Sequence, residues 1–132
     1  MTIDENKRLY MGYLDALRHP EKLGEFLAPD FVAYDLTGQH IGPADLIKFR
    51  EGITRAGRES FTADFLIAEG NLVASHQTVS IALVTGEQAT FHVVEIVEIK
   101  DGRIAWRRVG LDHAGHALGP RVDKIVGEKL HN

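Results

Sequence analysis

The stretch FHVVEIVEIKDGRI, residues 91–104, decides the architecture. Successive side chains of a strand point to opposite faces, so Phe91, Val93, Glu95, Val97 and Ile99 share one face while His92, Glu98 and Lys100 lie on the other. Lys100-Asp101-Gly102 supplies a tight turn, and Arg103 to about Leu111 returns as a partner strand. Glu95 is the polar exception on an otherwise apolar face.

The same period extends upstream. Phe61, Ala63, Phe65 and Ile67 alternate with polar or mixed residues, Glu69-Gly70-Asn71 turns, Leu72 to Thr85 forms a long second run, and Gly86-Glu87 separates it from the strand Ala89 to Ile99. These runs predict strands in meander order. Before them the period is helical: Leu9, Met11, Tyr13, Leu14 and Leu17 cover one face of a helix that Asp4 can cap and His19-Pro20 stops. Pro20 suits the first turn of a short second helix through Leu23, Phe26 and Leu27, and Ala28-Pro29-Asp30 ends it before a strand Phe31 to Asp35. Gly42-Pro43 opens a third helix carrying Leu46, Ile47, Phe49, Arg50 and Ile53 and ending near Gly57. The tail beyond Asp112 contains Gly115, Gly119 and Pro120, followed by a short amphipathic piece around Val122, Ile125, Val126 and Leu130 whose spacing suits a helix.

Three N-terminal helices packed on a curved, mostly antiparallel sheet that encloses a pocket describe an α+β fold. With 132 residues, 44% of them hydrophobic, residues 1–132 suit one domain, with a core at 5–112 and a tail at 113–132. Fifteen Lys and Arg against nineteen Asp and Glu leave a net charge of -4 and no basic run, which argues against nucleic-acid binding. No cysteine is present, so thiolate chemistry and disulfides are excluded. The charged start MTIDENKRLY and the lack of a long apolar window argue against export and membrane insertion, which makes the cytoplasm the expected location.

A carboxyl group among apolar side chains must be neutralised, paired with a cation or hydrogen-bonded, because an isolated buried charge is costly. For Glu95 the cations within cross-strand reach are Arg107 and Arg108. Tyr10 and Tyr13 lie on the first helix, and one of these phenols is placed to enter the interior. Asp35 ends a strand at the mouth of the sheet, where it either remains ionised beside a ligand or bonds the backbone of its own turn. His40 stands at the rim, placed to tune Asp35. Phe65, Phe91, His40 and Arg107 are the expected substrate contacts. The seven histidines form no HExxH pattern, and no GxSxG, phosphate loop or GxGxxG is present, so neither a metal nor an organic cofactor is expected. His92, Val94 and Ile96 beside His76, Thr78 or Ser80 make an outer face apolar enough for homodimerisation.

The segments YLDALR, FLAPDFVAYD, GPADLIKF and VEIVEIKDGRI, with the order of elements, resemble the ketosteroid isomerase and nuclear transport factor 2-like superfamily, and within it the SnoaL-like branch. The resemblance covers about residues 5 to 112 and implies a cone-like α+β barrel. It implies a cofactor-independent acid/base enzyme of isomerase, cyclase or dehydratase type that acts on a small hydrophobic carbonyl compound through an enolate-like intermediate. Asp35 would be the general base, and Tyr13 with a protonated Glu95 the oxyanion donors. Related epoxide hydrolases place an Arg between carboxylates, a role that would fall to Arg107 between Glu95 and Asp35. A non-catalytic binding or dimerisation module of the same fold is the alternative from another class.

Overall fold

The computed structural model describes residues 1–130. Its elements in chain order are α1 (Ile3–Ala16), α2 (Pro20–Leu23), β1 (Leu27–Asp35), β2 (His40–Ile41), α3 (Pro43–Ala56), β3 (Gly57–Glu69), β4 (Leu72–Leu83), β5 (Gln88–Lys100), β6 (Arg103–Leu111) and α4 (His113–Val126). The strands form one curved sheet in the order β2-β1-β6-β5-β4-β3. The meander β3 to β6 is antiparallel, as its hairpin turns require, whereas β1 joins β6 in parallel and places the first strand beside the last.

Thr2, not Asp4, caps α1: its hydroxyl accepts from the Glu5 backbone at 3.1 Å, and the Glu5 carboxylate accepts from the Thr2 backbone at 3.0 Å. Pro43 occupies the first turn of α3, where its missing N–H costs nothing. Between β5 and β6, Asp101 and Gly102 both take positive φ angles, 52° and 75°, as a two-residue hairpin turn demands. β1 begins earlier than the alternation predicts and includes Pro29; its register against β6 shifts between Leu27 and Val32, and such an irregularity accommodates a residue without an N–H.

The tail differs most from expectation. Gly115, Gly119 and Pro120 lie inside α4. Asp112 starts this helix by accepting from the Gly115 backbone at 2.9 Å, and Gly115 lets it approach the sheet, since a Cβ there would stand 3.0 Å from Leu111 Cβ and 3.1 Å from the Phe91 ring. Packing against β5 and α3 overrides the weak helix propensity of these residues.

The concave face of the sheet carries two apolar clusters. One joins Tyr10, Tyr13 and Leu14 of α1 to Phe31, Val97 and Ile104; the other joins Ile53 of α3 and Leu118 and Val122 of α4 to Val79, Ile81 and Phe91. Phe91 is therefore a core residue packed under α4, in place of the expected ligand contact. Phe65 is corrected as well. Phe61 and Ala63 face inward opposite Val79 and Gln77, but the register slips between Ala63 and Phe65, so that Phe65 and Ile67 point outward, each 69% exposed. One extra residue in a strand reverses every side chain after it, which strict alternation does not anticipate.

Candidate active site

The site is built on α1 and the inward residues of β4, β5 and β6. Tyr10 and Tyr13 are one turn apart, so both phenols descend from the same helical face into the concavity of the sheet. There they meet Glu95, which is 1% exposed. Tyr10 donates to Glu95 Oε1 at 2.5 Å and Tyr13 to Glu95 Oε2 at 3.0 Å. Arg107, next to Glu95 on β6, brings its Nε to 2.7 Å from Oε2. Both oxygens of the carboxylate are thus engaged, and the guanidinium supplies the compensating charge a buried carboxylate requires.

A polar chain extends away from this centre. The single Tyr10 proton is directed at Glu95, so the Ser75 hydroxyl, 2.6 Å away, donates to the Tyr10 oxygen, and Gln77 Nε2 donates to Ser75 Oγ at 3.0 Å. Ser75 and Gln77 are buried on the inward face of β4 between Val73 and Val79. The signal that singled out Glu95, a polar residue at an apolar position of an alternating strand, would have found both.

Burial is the main force on the phenols and pushes both pKa values well above the ordinary tyrosine range, with the Glu95 carboxylate adding to the effect. Both therefore remain protonated donors across the physiological range. Burial works against the charge of Arg107, but Tyr13 and Glu95 outweigh it and carry the guanidinium pKa upward. The sequence left open whether Glu95 is neutralised, paired or hydrogen-bonded, and the structure pairs it with Arg107 and hydrogen-bonds it to both tyrosines. Where a donor role toward a ligand is expected of Glu95, its two oxygens accept from Tyr10 and Tyr13.

Asp35 occupies a different position. Thr37 N, Thr37 Oγ1 and Gln39 N all donate to its Oδ1, at 2.8, 2.7 and 3.1 Å. The hydrogen bonds from Thr37 are the main reason its pKa lies below the ordinary carboxylate value. This is the Asx-turn role that the sequence offered as one of two readings. The register adds the second relation: Asp35 and Glu95 both stand opposite Val109, on either side of β6. Laterally aligned residues share a face of the sheet, so Asp35 and Glu95 belong to one concave row, their backbones about 10 Å apart across two strand spacings. Arg107, two residues from Val109 on the strand between them, faces the same way.

His40 is an exposed residue of β2 with its ring 5.7 Å from that of Tyr34, and its place as a rim group tuning Asp35 is not what the structure shows. The short β2 strand pairs only with the edge of β1, which turns His40 to solvent. A cavity of about 510 Å³ lies near Thr2, Asn6 and Asn71 and another of about 350 Å³ near Arg18, Thr54 and Glu59; neither is lined by Glu95 or Asp35. Among the described residues no group of three or more His, Cys, Asp or Glu side chains is arranged to hold a metal ion. No helix among them is long and apolar enough to cross a membrane.

The sequence model of the SnoaL-like domain matches residues 12–107. No curated protein sequence matches the chain. Among solved structures, PrhC from Penicillium brasilianum superposes with a TM-score of 0.82 at 12% identity, covering 98% of this chain and 96% of that one. AclR from Streptomyces galilaeus gives 0.78 at 22% identity over 93% and 83% of the two chains. A LEH-like epoxide hydrolase of M. tuberculosis gives 0.74 at 20% identity over 96% and 98%. At these identities the likeness is one of fold.

Proposed function

The chain belongs to the SnoaL-like domain family, and from that premise we propose that it is a cofactor-independent acid/base enzyme acting on a small hydrophobic carbonyl compound. The observation that carries this reading is the convergence of Tyr10, Tyr13 and Arg107 on Glu95, in the concave row that also contains Asp35. Asp35 takes a proton from the carbon next to the carbonyl and returns it at another position. Its Oδ1 is fixed in the turn, and Oδ2 is the oxygen that moves the proton. The carbonyl oxygen, gaining negative charge, is received by Tyr13, whose 3.0 Å bond to Glu95 is longer than that of Tyr10 and is the one exchanged for the substrate. Arg107, 12% exposed, faces the same oxygen. Glu95 is a positioning residue that aims both phenols and holds Arg107.

Charge bookkeeping supports the arrangement. The negative charge of Asp35 passes to the substrate oxygen as Asp35 takes the proton, and the total is unchanged. The test is exchange in D₂O with a set of apolar cyclic ketones, followed by loss of the α-proton NMR signal. Exchange above the buffer rate with at least one ketone is expected; buffer-rate exchange with all of them removes the proposal.

A second reading, water activation of epoxide hydrolase type, draws on the placement of Arg107 on the strand between the two carboxylates. It is distinguished by incorporation of ¹⁸O from water into the diol formed from an apolar epoxide.

For assembly we propose a homodimer through the outer face. Phe65 and Ile67 (each 69% exposed), Val94 (54%) and Ile96 (40%) form an apolar area beside the stacked rings of His76 and His92, 5.5 Å apart. Val94→Glu is expected to convert a dimer into a monomer in sedimentation velocity without changing the circular dichroism spectrum. A monomeric wild-type protein at micromolar concentration would contradict it.

A further inference from the structure

A second polar cluster lies where the C-terminal end of α1 meets α3 and the start of β3. Arg50 donates from Nε to Leu17 O at 2.7 Å and from Nη2 to Glu59. Arg18 donates from Nη1 to Leu14 O at 2.9 Å, lies over the Phe61 ring at 4.2 Å, and holds its Nε 3.7 Å from the same Glu59 oxygen that Arg50 contacts. The side chains of Arg18, Arg50 and Glu59 are 11%, 10% and 5% exposed. Two largely buried guanidiniums therefore share one carboxylate, leaving a surplus positive charge. Arg18 Nε is buried and makes no hydrogen bond among the described residues. Burial brings the Arg18 pKa down to about 10, with Glu59 only partly opposing it, which marks a cation whose compensation is incomplete.

This cluster borders the cavity of about 350 Å³ lined by Arg18, Ile53, Thr54 and Glu59, with Arg58 at its edge. That volume lies in the range of small-ligand sites, on the order of 300–1,000 Å³. We propose that this cavity is a binding site for a small organic monoanion, a carboxylate held by the guanidinium of Arg18 in competition with Glu59, its apolar body against Ile53. Two guanidiniums against one carboxylate select an anion, and Arg18 Nε, 3.7 Å from the Glu59 oxygen, makes no hydrogen bond among the described residues; the planar fork of a guanidinium suits a carboxylate. Glu95 does not line this cavity, although Glu95 and Tyr13 act on the charge of Arg18; the anion site does not rest on the carbonyl chemistry proposed above.

The experiment uses benzoate as probe and benzamide, its neutral counterpart, as control, followed through the Nε–Hε signal of Arg18 in ¹⁵N-labelled protein. Benzoate should shift that signal saturably, with a dissociation constant on the order of 1 mM, while benzamide leaves it in place. Arg18→Gln should abolish benzoate binding. Glu59→Gln removes the competing carboxylate and should tighten benzoate binding roughly tenfold, an effect opposite in sign to that of a merely structural ion pair; Arg58→Gln, at the exposed edge of the cavity, leaves the buried cluster intact and should weaken benzoate binding severalfold. Equal binding of benzamide, absence of saturation, or weaker benzoate binding in Glu59→Gln would overturn the proposal.

Discussion

Glu95→Gln is expected to lower the stability of the protein by about 3–5 kcal/mol, the cost of leaving one partner of a buried ion pair uncompensated. Glu95 is 1% exposed and the Arg107 side chain 12%, so solvent replaces little of the lost interaction. The substituted amide would also turn a nitrogen toward phenols that need an acceptor. At roughly 3–5 °C of melting temperature per kcal/mol for a chain of this size, the midpoint should fall by about 10–20 °C. A cycle separates the pair from general loss of packing: Arg107→Met alone should destabilise, while Glu95→Gln combined with Arg107→Met should cost clearly less than the sum of the single changes. Additive costs in thermal or urea unfolding would mean that the Glu95–Arg107 contact contributes nothing as a pair.

Asp35→Asn should reduce α-proton exchange by a factor of about 10²–10⁴, the usual contribution of a positioned general base. Asn keeps an acceptor oxygen for Thr37 and Gln39, so the turn persists and thermal stability should change little. The pH profile carries further information. Because hydrogen bonds from Thr37 hold the Asp35 pKa below its ordinary value of 3.8, the carboxylate is ionised throughout the neutral range, and the rate should fall only as pH drops through that lowered value. Thr37→Val removes the largest of these influences and should move the acid limb upward. A limb unmoved by Thr37→Val would assign the titration to another group.

The sheet was legible in the sequence wherever alternation was strict. β4 and β5 follow their expected ranges because the inward face of each is mostly apolar, and the Asp101-Gly102 turn sets the register of the last hairpin and with it the start of β6. The slip between Ala63 and Phe65 left no such trace, since Phe65 and Ile67 are as apolar as the residues that replace them inside, Leu66 and Ala68. Only the second half of α4 was legible, from the amphipathic piece around Val122, Ile125 and Val126; Gly115, Gly119 and Pro120 concealed the first half, which is helical because it packs on β5. At the site, Glu95 was identifiable as the polar exception on an apolar strand, and its partner Arg107 from cross-strand reach. Tyr10 and Tyr13 could be placed on one helical face; that both would converge on one carboxylate depends on how α1 packs on the sheet, against β3 and β4, which is a tertiary fact. Arg50 and Glu59 are nine residues apart on the adjacent α3 and β3, whereas Arg18 lies in the turn after α1 and only folding brings it to them.

The central claim is that one small molecule binds between Asp35 and the Tyr13–Glu95–Arg107 group. A crystal structure with a planar phenol bound, its hydroxyl standing in for the enol oxygen, tests it most directly. The account predicts the phenol oxygen about 2.7–3.1 Å from the Tyr13 hydroxyl and a ring carbon within roughly 3.5 Å of Asp35 Oδ2. A phenol seated only in the cavity near Asn6 or in that near Arg18, or a Tyr13–Glu95 bond unchanged with the ligand elsewhere, would contradict it.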